Sequence, residues 1–179
     1  MELLQSKLKK TSRAYSAALL IFALFNLYFA ANYLVAVLLL LTGGGETLIG
    51  KISGAWSGGM TAGWWTAYFL LALLSAAAGA WAYFSGSAAF RGIARSAEPF
   101  SRPAVKKLKT MVWLLAANIP LTAGCGYMAV SFGPGLMGSS RMAAVTAVAG
   151  GVLDVVLFFA LISVFQYGAQ LQQLSDETL

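Results

Sequence analysis

The sequence predicts an all-α membrane protein. Four transmembrane helices pair as two hairpins, both termini lie in the cytoplasm, and a basic cytoplasmic middle loop contains an interfacial helix. Three observations carry this reading. Hydrophobic residues make up 59% of the 179 positions and charged residues only 10%, against roughly 25% charge in a soluble domain. Four stretches supply the ~20 mainly apolar residues that a spanning helix needs. The lysines and arginines, finally, are shared unevenly among the segments that join those stretches. Residues 1–179 therefore form a single membrane domain.

The first span covers about 15–41 and is interrupted only by Asn26 and Asn32. The basic start before it resembles a signal peptide. Its apolar stretch exceeds the roughly 7–15 residues of a signal core, however, and no small-residue cleavage site closes it. It is an uncleaved span. The second covers about 63–84, the third about 111–132 and the fourth about 142–167, leaving a tail at 168–179. Pro120 falls inside the third, where it removes one backbone hydrogen bond and predicts a kink.

Charge sets the orientation. Lys7, Lys9, Lys10 and Arg13 precede the first span, and Arg91, Arg95, Arg102, Lys106, Lys107 and Lys109 lie between the second and third. Only Lys51 and Arg141 lie in the other two connections. Ten of twelve cations on one side place both termini and the middle loop in the cytoplasm. Trp56, Trp64 and Trp65 are then expected at the outer interface, and Trp81, Tyr83, Trp113 and Tyr167 at the inner one. Orientation and contact with anionic headgroups account for the net charge of +6, which argues against direct nucleic-acid binding.

Small residues mark expected sites of close helix approach: Ser75, Ala76, Gly79 and Ala80 in the second span, and Ala143, Ala147, Gly150 and Gly151 in the fourth. Such stripes serve either the chain's own bundle or a homo-oligomer. In the middle loop, Ser101 and Pro103 suit the start of a helix. Val105, Leu108 and Val112 share its face, and this helix runs on into the third span. Phe90, Ile93 and Phe100 are expected at the membrane interface, with the basic residues toward headgroups.

Chemistry is sparse. There is no histidine, and the single cysteine, Cys125, excludes an intrachain disulfide or a cysteine metal cluster. No metal or cofactor is expected. Without paired carboxylates or a nucleophile beside a base, an enzyme has little to work with. Gly45 to Lys51 matches most of a phosphate-binding loop, but Ile52 stands where the motif needs Ser or Thr for magnesium, and no strand precedes it. A flexible glycine-rich loop is the better reading. Asp154 is the one acid within a span, roughly 20 Å from the inner end at 1.5 Å per residue. It reads either as a buried carboxyl, hydrogen-bonded to an asparagine or to backbone, or as a proton or ligand site. Asn26, Asn32 and Asn118 are its candidate companions and equally serve as interhelical glue.

The C-terminal pattern of Phe165, Tyr167, Gly168, Leu171, Gln172 and Asp176 to Leu179 follows directly on the last span. Together with the loop around Phe100-Ser101, it resembles a bacterial four-span membrane family catalogued as domain of unknown function 2975. That family usually has Phe-Thr where Phe-Ser stands here, and the outer loop is unusually glycine-rich. The resemblance implies residence in the bacterial plasma (inner) membrane. It also implies a sensory or regulatory role beside a small helix-turn-helix transcription regulator, with no established activity. The tail (Gly168, Leu171, Gln172, Asp176, Glu177) and the basic residues Arg91, Arg102, Lys106 and Lys107 are the expected docking set. A small-solute transporter or channel acting as an oligomer, and a lipid- or peptide-binding membrane protein, are the alternatives.

Overall fold

The structure is a computed structural model that describes residues 2–43, 62–96, 101–132 and 137–177. These residues form four helices: α1 (Glu2–Leu41), α2 (Ala62–Ser96), α3 (Arg102–Phe132) and α4 (Met137–Glu177). All four are long and apolar enough to cross a membrane. The Gly45–Lys51 stretch, Trp56 and Phe100 lie outside the described residues, as do the side chains of Arg141, Gln172, Asp176 and Glu177.

The helices are longer than the apolar stretches alone suggest, and the extensions take up most of the middle loop. α2 continues to Ser96 and α3 begins at Arg102, so only residues 97–101 separate them. The reason is apolar spacing. Ala82, Ala89 and Ile93 are fully enclosed along α2, as are Ala104, Leu108, Met111 and Val112 along α3, at the three- and four-residue steps of one helix face. The expected interfacial helix is thus the first two turns of α3. Ile93, expected among headgroups, is 1% exposed and belongs to the protein core. α3 then runs through Pro120 to Phe132 as one element.

At the end of α1, the Thr42 amide donates to the Leu38 carbonyl at 3.0 Å and the Thr42 hydroxyl donates to the same oxygen at 2.9 Å. Gly43 follows at φ +80°, the left-handed conformation that ends a helix without a Cβ penalty.

Contacts divide the chain into two compact units, the first made of residues 1–25, 79–116 and 153–179, the second of 26–78 and 117–152. In the first unit, Ala89, Leu108, Val112 and Ile162 form the core, with Phe90, Val155, Phe158 and Phe165 against them. α1 and α2 run antiparallel there, since Tyr15 meets Phe90 and Phe22 meets Tyr83, with ring centroids 5.5 and 5.7 Å apart. Gly86 permits the close approach. A Cβ there would lie 2.5 Å from Met111 Sδ and 3.1 Å from Leu19 Cδ1, so α1, α2 and α3 meet where any side chain at 86 would require the Met111 side chain to shift.

In the second unit, Ala36, Val37, Trp65 and Phe69 form the core, flanked by Tyr33, Leu40 and Tyr68. Trp65, expected at the membrane interface, is instead buried and stacks on Phe69 at 5.8 Å. Phe69 also meets Tyr33 of α1 at 6.2 Å. The small stripe of α2 is enclosed at Ala76, Gly79 and Ala80, as close packing requires. That of α4 is open at Ala147 and Gly150, with nothing within 4 Å of a Cβ built at Gly150, while a Cβ at Gly151 would touch Ile119 Cγ1 at 3.6 Å.

Candidate functional site

Two places gather polar groups. One is the first unit, which contains ten of the chain's twelve cations by residue number. Arg91 and Arg95 sit on α2, and Arg102, Lys106, Lys107 and Lys109 sit on the first turns of α3. Helix geometry fixes their spacing. The α3 helix starts after Ser101, whose carbonyl accepts the amides of Ala104 and Val105 at 3.0 and 3.1 Å.

Arg102, Lys106 and Lys109, with Val105, line one wall of a groove of about 460 Å³ whose other wall is Gln166 and Gln170 of α4. Of the expected docking set, Arg102 and Lys106 line this groove and none of the tail residues does. The tail is not a loose end: α4 continues through it to Glu177. Gly168 is half-buried, and Leu171 and Leu174 are exposed. Cations at one wall and amides at the other offer charge and both hydrogen-bond polarities to an acidic or amide-rich segment.

Arg91 has a separate attachment. Its Nη2 donates to Ser87 Oγ at 3.2 Å, and Ser87 is part of a buried clasp with Ser16. Ser16 Oγ donates to the Ser87 carbonyl at 3.0 Å, Ser87 Oγ donates to the Ser16 carbonyl at 2.9 Å, and the two hydroxyl oxygens are 3.0 Å apart. Each hydroxyl crosses between α1 and α2 to the other's backbone, one residue from Gly86. The sequence reading did not single out either serine. Their signal was available: small hydroxyl residues set in helices otherwise rich in alanine and aromatics.

The second place is a cleft of about 240 Å³ in the second unit, lined by Asn26, Phe29, Tyr33, Tyr68, Ser75, Thr122 and Cys125 among others. The Ser75 and Thr122 hydroxyls lie 3.4 Å apart across it. Asn118 lies one turn before Thr122, half-buried, and its Oδ1 is enclosed without a hydrogen-bond partner among the described residues.

The four intramembrane polar residues singled out from sequence therefore fare differently. Asn26 lines the cleft and Asn118 stands on the same helix as its Thr122 wall. Asn32 is exposed and donates from Nδ2 to the Tyr28 carbonyl of its own helix at 2.8 Å, which is not interhelical glue. Asp154 belongs to the first unit, is exposed on α4 and lies within electrostatic reach of Tyr83. No group of three or more metal-ligating side chains occurs among the described residues. No family model matches the chain, and neither a curated protein nor a solved structure matches it.

Proposed function

We propose that this chain is a regulatory or sensory protein of the bacterial inner membrane that recruits a protein partner at its cationic cytoplasmic face. In this reading the four helices cross the membrane as two antiparallel hairpins with both termini in the cytoplasm. Support for the pairing comes from α1 against α2 at Tyr15–Phe90 and from α3 against α4 at Trp113–Phe159. The partner that the family resemblance implies is a small helix-turn-helix transcription regulator.

The observation that carries the proposal is the groove between Arg102, Lys106 and Lys109 on α3 and Gln166 and Gln170 on α4, beside which the exposed Leu171 and Leu174 extend the helix. Exposed ion pairs contribute only about 0–1 kcal/mol each. Charge therefore supplies steering, and the leucines supply the apolar contact that holds a partner. The test is membrane retention of a co-expressed helix-turn-helix regulator encoded by the native host. Deleting residues 168–179, or replacing Arg102, Lys106 and Lys109 together by glutamine, releases the regulator to the soluble fraction while the chain still inserts. A truncated chain that held the regulator at the membrane would sink the proposal.

A further inference from the structure

A second face of the same cations is open, and its chemistry differs from that of the groove facing α4. Lys107 points the other way, toward α2. It closes two adjoining hollows that share Ala88 as well as Lys107. One, of about 340 Å³, is lined by Trp81, Phe84 and Ser85. The other, of about 270 Å³, is lined by Gly92, Ser96, Ser101 and Ala104 among others. Together they make a continuous furrow along one face of α2. From Trp81 to Ser96 that face is about 22 Å long at 1.5 Å per residue.

The furrow is graded. Its Trp81 end is aromatic and lies where the apolar run of α2 finishes; its Ser96 end is polar and cationic and lies against the start of α3. Ser96 Oγ donates to the Gly92 carbonyl at 3.2 Å. Gly92 itself leaves the floor open, with nothing within 4 Å of a built Cβ. An ammonium at the waist and an aromatic slot beside it match one kind of amphiphile. In that arrangement a phosphate would meet Lys107 and the upper acyl chain would lie against Trp81 and Phe84.

We infer that the furrow between α2 and α3 is a binding site for an anionic phospholipid. The inference does not rest on partner docking, because it uses Lys107 and α2 rather than the α3–α4 groove. The experiment is titration of the purified, detergent-solubilised full chain with phosphatidylglycerol or phosphatidylcholine, reading bound lipid by native mass spectrometry. Helicity by circular dichroism confirms that each variant is folded.

Phosphatidylglycerol binds and phosphatidylcholine does not compete. Lys107→Gln weakens binding by about fivefold, the effect of one cation near a headgroup. Gly92→Leu, which fills open space without meeting a neighbour, blocks it. Lys109→Gln, in the other groove, leaves it unchanged. The inference is overturned if Lys109→Gln weakens binding as much as Lys107→Gln, since the effect is then a diffuse field. Equal binding of phosphatidylcholine overturns it, as does displacement of the lipid by glycerol 3-phosphate, which would make the site one for a free phosphate.

Discussion

Replacing Ser87 by alanine removes two contacts: the 2.9 Å bond to the Ser16 carbonyl, which ties α2 to α1, and the 3.2 Å acceptance from Arg91 Nη2 within α2. Replacing Ser16 removes one, its 3.0 Å donation to the Ser87 carbonyl. Interhelical hydrogen bonds between membrane helices average about 0.6 kcal/mol and reach about 1.7, so Ser16→Ala should cost about 1 kcal/mol and Ser87→Ala somewhat more. The pair also predicts how the two losses combine. Each hydroxyl has one proton, and each proton has a carbonyl on the opposite helix as its acceptor. That carbonyl survives when the opposite side chain is trimmed. The 3.0 Å separation of the two oxygens is then a consequence of the clasp and not a bond in its own right. A double-mutant cycle should accordingly give a coupling below about 0.5 kcal/mol. Reversible unfolding in mixed micelles with rising dodecyl sulfate, followed by circular dichroism, measures all four corners. A coupling above about 1 kcal/mol would show that the hydroxyls bond each other, and an unchanged Ser16→Ala would show that the clasp is idle.

Two other outcomes follow from the packing. Gly86→Leu places a side chain where even a Cβ would sit 2.5 Å from Met111 Sδ, and should destabilise by about 1–3 kcal/mol or more in the same micelle assay; Gly92→Leu, facing open space, serves as the neutral comparison. Asn118→Leu removes an enclosed oxygen that has no partner. An unmade bond of this kind costs about 1–3 kcal/mol, so the leucine variant should be as stable as the native chain or more so, and a clear loss would mean that Oδ1 has a partner.

The element count was legible because it depends on one quantity, the length of apolar runs, and four such runs stand out. Helix ends were not. The run from Ser85 to Ser96 reads as loop when scored for lipid solubility, since Arg91 and Arg95 interrupt it. Its helix is held by Ala89 packing against Leu108 and Val112, a tertiary contact absent from any local window. The burial of Trp65 was hidden for a related reason: tryptophan near a span end suits the membrane interface, and its packing partner Phe69 sits one turn away on the same helix. The polar residues divided by type. A charge such as Asp154 draws the eye in a membrane helix, whereas Ser16, Ser87, Ser75 and Thr122 are quiet in the sequence and are the ones that meet across helices. A hydroxyl can satisfy itself on its own helix, so only three-dimensional placement tells which ones reach out.

Mounting the cations on helices instead of a loop has a thermodynamic consequence. Lysines on a flexible segment must give up backbone freedom when they grip a ligand, at about 1–2 kcal/mol per residue ordered. Lys106, Lys107 and Lys109 are carried by an α3 that is already regular from Arg102 onward, so only side-chain rotamers remain to be restricted. The same helix aims them apart: Lys106 and Lys109 toward α4, Lys107 toward α2. A preorganised array of this kind can be occupied on both flanks at once, and whatever binds on one flank changes the field that the other presents.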